Sequence, residues 1–127
     1  MRIAIVTDDG VQISRHFGRA PYYLIVEMGG GRVTDRSLVP KLGHEQFQGM
    51  HEAGHQGPHT GSESKHAAMV APLEGCRALI CGGMGMGAYQ SLMLKGIKPI
   101  VTDMNGIDEA ISAYIAGKID DHLEYLH

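Results

Sequence analysis

The sequence predicts an α/β domain built on one mixed sheet, and three observations carry that prediction. The chain opens with three short strand-forming runs, two of them joined across a triple glycine. Its second half alternates apolar runs with helical stretches, and no internal repeat divides it. A hairpin-linked opening followed by strand–helix alternation suits a sheet with both antiparallel and parallel pairs and helices packed against it. With 127 residues the chain has the length of a single domain, residues 1–127, with one continuous core.

Residues 2–7 (RIAIVT) form a β-branched apolar run stopped by Asp8-Asp9-Gly10, a strand followed by a turn. Residues 22–28 (YYLIVEM) read as the second strand, and Gly29-Gly30-Gly31 supplies the left-handed backbone freedom of a tight hairpin. Residues 32–39 return as the third strand, ended by Pro40. From residue 41 to about 62 the chain is rich in glycine and histidine and almost free of aliphatic side chains, so a long mobile loop is expected there. Ser62 is placed to cap a helix that Pro72 cuts short. Residues 77–81 (RALIC) suit a buried strand, residues 82–87 a glycine turn, and residues 88–95 a helix closed by Gly96. Residues 98–102 (KPIVT) read as the last strand. The final helix, residues 105–117, places Ile107, Ala110, Ile111, Tyr114 and Ile115 on one face. The predicted order is β-β-β-α-β-α-β-α, a five-stranded mixed sheet.

Composition narrows the function classes. Apolar residues at 43% and charged residues at 20% are ordinary for a folded soluble domain. A net charge of -3 offers no general attraction for nucleic acid, whose phosphates are neutralised by Lys and Arg. No stretch reaches the roughly 18 apolar residues of a membrane span. The opening run meets Asp8-Asp9 too early for a secretory signal. The expected setting is therefore cytoplasmic, without nucleic-acid or membrane partners, and with Cys76 and Cys81 reduced. Their C-x4-C spacing is not that of a zinc knuckle.

Three segments carry candidate chemistry. His44, His51, His55, His59 and His66 fall within 23 residues. His51, His55 and His59 recur every four, and imidazoles so grouped suit a transition metal; the simpler alternative is a solvated low-complexity linker. In the turn Ser14-Arg15-His16-Phe17-Gly18-Arg19, Phe17 is expected to anchor the turn and aim His16. Arg15 and Arg19 flank it as cations suited to an anionic ligand, against the alternative of a structural turn with an exposed histidine. In Cys81-Gly82-Gly83-Met84-Gly85-Met86-Gly87, glycines such as Gly83 and Gly85 let the backbone approach a ligand at a helix N-terminus, and the same helix end would favour a Cys81 thiolate. The turn lacks the Lys-Ser/Thr ending of a phosphate loop, and a buried cysteine among gap-filling methionines is the competing account.

The segments SRHFGRAPYYLIVE and CGGMGMGAYQSLMLKGIKPI, each in its place in the strand order, resemble the dinitrogenase iron–molybdenum cofactor biosynthesis family, the small domains akin to NifX, NafY and the C-terminal part of NifB. The resemblance runs from Arg2 to about Leu123. It implies a ribonuclease-H-like fold and non-catalytic binding or carriage of an iron–sulfur or iron–molybdenum-type cluster. It also makes His16 a cofactor-binding candidate, and cluster-assembly or acceptor proteins the partners. The histidine loop is this chain's own feature. The metal candidates are thus His16, His51, His55, His59 and Cys81, with Arg15, Arg19, Gly83 and Gly85 as further cofactor contacts. Two other readings stand beside this one: a metal-dependent hydrolase using Asp8 and Asp9, and a regulatory protein-binding module.

Overall fold

The computed structural model describes residues 1–41, 71–122, 124 and 126. Five strands form one sheet: β1 (Arg2–Thr7), β2 (Tyr22–Gly29), β3 (Arg32–Pro40), β4 (Cys76–Cys81) and β5 (Lys98–Val101). Two helices, α1 (Met86–Leu94) and α2 (Ile107–Ile115), follow β4 and β5. The spatial order is β3-β2-β1-β4-β5. β1 pairs antiparallel with β2, and β2 with β3, whereas β1–β4 and β4–β5 are parallel. The mixed sheet expected from the sequence is therefore present.

The local reasons are those the sequence announces. Gly30 and Gly31 adopt φ +62 and +78 between β2 and β3, a left-handed pair that side-chain-bearing residues rarely take. Gly96, at φ +77, ends α1 in the same way. Pro40 is the last residue of β3, opposite Tyr22, and not a stop outside it. A proline is tolerated there because β3 lies at the sheet edge. Lys41, expected at the start of the mobile loop, is instead buried at 2% exposure. Its amide donates to the Pro21 carbonyl at 2.8 Å, and its ammonium stands 4.7 Å from the Phe17 ring centre and 5.7 Å from that of Tyr23. The rest of that loop, and most of the helix expected after Ser62, lie outside the described residues; Ala71–Leu73 form a single 3-10 turn.

Alternation on the central strands separates two apolar layers. Ala4 and Val6 face Tyr23, Leu79, Cys81 and Val101 on the side covered by Leu92 of α1. Ile3 and Ile5 face Val26, Ile80 and Ile100 on the side covered by Ile107, Ala110 and Ile111 of α2. Ile115, expected on that buried face, is exposed. On α1 the two leucines part company: Leu92 is buried and Leu94 is 88% exposed. Residues two apart on a helix point about 200° apart and cannot share a face.

Because β1, β4 and β5 run parallel, their carboxyl ends share one edge of the sheet. There α1 leaves toward one face and α2 toward the other. Such a divergence opens the crevice in which open α/β sheets bind ligands.

Candidate functional site

The loop that follows β1 folds back over this carboxyl edge. The Asp9 carboxylate accepts the amides of Val11 and Gln12 at 2.8 and 2.9 Å, and these bonds hold its carboxyl below the usual range. The Thr7 hydroxyl donates to the Gln12 carbonyl at 2.6 Å. Ile13 N donates to Asn105 O at 2.7 Å, and Ile107 N to Val11 O at 3.1 Å, tying the loop to the β5–α2 connection. Ser14 is held on both sides: its amide donates to Val6 O, and its carbonyl accepts from Gly82 N, each at 2.8 Å.

Arg15 and Arg19 look alike in sequence, and the structure separates them. Arg19 is exposed. Arg15 instead turns inward across the crevice. Its Nη1 donates to Thr102 O at 2.8 Å, and its Nη2 to Asp103 O at 2.9 Å, to Met104 O at 3.0 Å and to the Asn105 side-chain oxygen. The fork of Arg15, expected beside an anionic ligand, is engaged by three main-chain carbonyls and one side-chain amide oxygen, which a planar guanidinium suits. Gly82 makes room for it. A Cβ at that position would stand 2.5 Å from Arg15 Cδ, 2.7 Å from Nη1 and 3.0 Å from Ser14 O.

His16 follows on an anchored turn. Its carbonyl accepts from Arg19 N and Ala20 N, both at 3.1 Å, and its amide donates to the Ser14 hydroxyl at 3.1 Å. Phe17 is buried as expected, and its amide donates to Gly83 O at 3.0 Å. The His16 side chain is exposed, between two residues whose side chains are tied down. Gly83 thus meets the HFG turn itself through its carbonyl. Gly85, in an extended conformation, precedes the first turn of α1.

Cys81 does not fit the role of ligand. It is fully buried in the α1-side core, and burial pushes its thiol up to about 12 against the weaker opposing effect of the Gly83 amide. The helix end that would favour a thiolate is outweighed by desolvation. Cys76 is likewise buried, with its thiol pushed up to about 11. Among the described residues no three His, Cys, Asp or Glu side chains converge as a metal site. His51, His55 and His59 lie outside the described residues.

Two contributors escaped the sequence reading. Gly82 was hidden among like neighbours, and only the approach of Arg15 distinguishes it. His122 lies in a short C-terminal tail whose residues cross the same edge. Its amide donates to Val101 O at 2.7 Å, Asp121 accepts from Val101 N at 2.9 Å, and Leu126 bridges to Met84. Its ring stands 3.0 Å from Glu124 and 3.8 Å from Asp103. The hydrogen bond to Glu124 chiefly raises its pKa, burial opposes this, and the charges of Glu124, Asp103 and Asp120 add to the rise. A raised folded-state value means a stabilising effect that is complete below the ordinary imidazole value of about 6.5 and is lost as pH rises through the raised one. Amide exchange at Leu126 should accelerate across that upper range, and His122→Ala should remove the pH step.

The chain is similar to several known proteins. The family model described as dinitrogenase iron-molybdenum cofactor matches residues 1–117. The uncharacterized protein MJ0580 of Methanocaldococcus jannaschii is 28% identical over 94% of this chain and 90% of its own length. The FeMo cofactor biosynthesis protein NifB of Azotobacter vinelandii is 29% identical over 87% of this chain, which spans only 21% of that relative. The crystal structure of PH0822 superposes with a TM-score of 0.66 at 25% identity, covering 98% of this chain and 97% of the other. No helix among the described residues is long and apolar enough to cross a membrane.

Proposed function

Since this chain belongs to the dinitrogenase iron-molybdenum cofactor family, we propose that it binds and carries a metal–sulfur cluster related to that cofactor, without catalysing its chemistry. The observation that carries the reading is the exposed His16 imidazole on a turn held from both sides. The donor set fits a cargo better than a resident group. Iron–sulfur clusters built into a protein are normally held by several thiolates, and here both cysteines are buried. One imidazole, with the exposed Arg19 nearby, suits a preformed anionic cluster that must later be released.

The strand order β3-β2-β1-β4-β5 supports a ribonuclease-H-like reading of the fold. The hydrolase alternative draws no support from Asp9, whose Oδ1 is engaged by two backbone amides. The proposal extends to a cytoplasmic setting, and to cluster-assembly or acceptor proteins as partners, by analogy with the biosynthetic name of the NifB relative.

Anaerobic purification followed by iron, molybdenum and labile-sulfide analysis tests the reading. Coloured protein containing metal and sulfide is expected, and protein that stays metal-free in cells assembling such clusters would overturn it. His16→Ala should weaken binding of tetrathiomolybdate, a coloured metal–sulfide dianion, by at least about tenfold, roughly 1.4 kcal/mol. Its fold should remain intact, since His16 is not a core residue.

A further inference from the structure

We infer that Arg15 is a positioning residue for His16, strapping the His16 turn to the β5–α2 connection across the crevice between the diverging helices. The inference rests on His16 being the ligand-facing group. Arg15 reaches residues 87 to 90 positions away in sequence and is the side chain next to His16. Its acceptors are three main-chain carbonyls and one side-chain amide oxygen, and none is a carboxylate. An ion pair would anchor the turn too, but it would cancel the charge. Neutral acceptors hold the guanidinium in place without an ion pair, so its positive charge stays beside His16, where it favours an anion.

Arg15 also takes up part of the crevice. Its floor at Gly82 is covered by the Arg15 stem, within reach of any atom added there. On the outer side of the turn His16 and Arg19 are the exposed side chains that can meet an anion. Ser14 and Phe17 are fixed by main-chain bonds to Val6, Gly82 and Gly83, and Val11 and Ile13 already tie the loop to the β5–α2 connection, so the strap adds a side-chain link to that connection from the residue next to His16.

The test compares wild type, Arg15→Ala, Arg15→Lys and His16→Ala by spectrophotometric titration with tetrathiomolybdate, with and without millimolar guanidinium. Arg15→Ala should lose about tenfold in affinity, and guanidinium should restore most of it by occupying the vacated fork site. Arg15→Lys keeps a cation and most of the stem but not the fork. It should show faster amide exchange at Phe17 and Ala20 even without ligand, and guanidinium should not rescue it. Unchanged affinity in folded Arg15→Ala, or a loss that guanidinium leaves untouched, would overturn the inference. If Arg15→Ala does not fold, unaltered exchange in Arg15→Lys overturns it instead. Unchanged affinity in His16→Ala would sink the cluster-site reading and not the strap, which the ligand-free exchange data report separately.

Discussion

Gly82→Ala should destabilise the protein by about 1–3 kcal/mol, the usual cost of forcing atoms into a filled space. The added methyl would sit 2.5 Å from Arg15 Cδ and 3.0 Å from a main-chain oxygen. The side chain can give way only by leaving its carbonyl partners, and the Ser14 carbonyl is itself bonded to Gly82 N. Relief therefore loosens the strap or the loop. Denaturant melts should show the loss, and amide exchange at Phe17 should rise with it. Gly87→Ala is the control: nothing lies within 4 Å of a Cβ there, and it falls inside α1, where alanine is the better helix former. If Gly82→Ala melts like wild type, Arg15 is not held as described.

Cys81→Ser should cost a further amount of the same order, about 1–3 kcal/mol, by placing a hydroxyl where a thiol packs. Cys81 is fully buried beside Tyr23, Leu79 and Val101. With its thiol pushed up to about 12, almost no thiolate exists at neutral pH. Native protein should therefore resist alkylation at this position until it unfolds, with or without tetrathiomolybdate present. Cys81→Ala, which adds no polar atom, should retain wild-type affinity. Protection of Cys81 from alkylation by ligand, together with lost binding in Cys81→Ala, would restore it as a ligand.

Much of the architecture could be read along the chain. The five strands and the two helices stand within one or two residues of the predicted bounds, because strand alternation, a glycine hairpin and a glycine helix stop are local signals. The widest differences, of two residues, fall at both ends of α2 and at the start of α1, whereas proline shifted its strand end by one. Pro40 stays in its strand because that strand lies at an edge, and α1 begins at Met86 because the turn needs fewer residues than its glycines suggest. Of the site, the HFG turn and the buried Phe17 were legible, since a turn flanked by strands and holding one aromatic residue has few ways to pack.

Side-chain direction was not legible. Arg15 and Arg19 are chemically identical and four residues apart, yet one reaches across the sheet edge to residues 102–105 and the other faces water. Nothing local separates them, because the acceptors that capture Arg15 come from a connection nearly ninety residues away. Cys81 shows the same limit. Its place at the mouth of a helix suggests an activated thiolate, but the pleat turns its side chain into the core, where desolvation outweighs the helix end. Periodicity and turn chemistry act between neighbours in sequence and so define elements and their order. Which side chain meets which carbonyl depends on how those elements pack, and that is settled only when the sheet closes and brings distant loops to one edge.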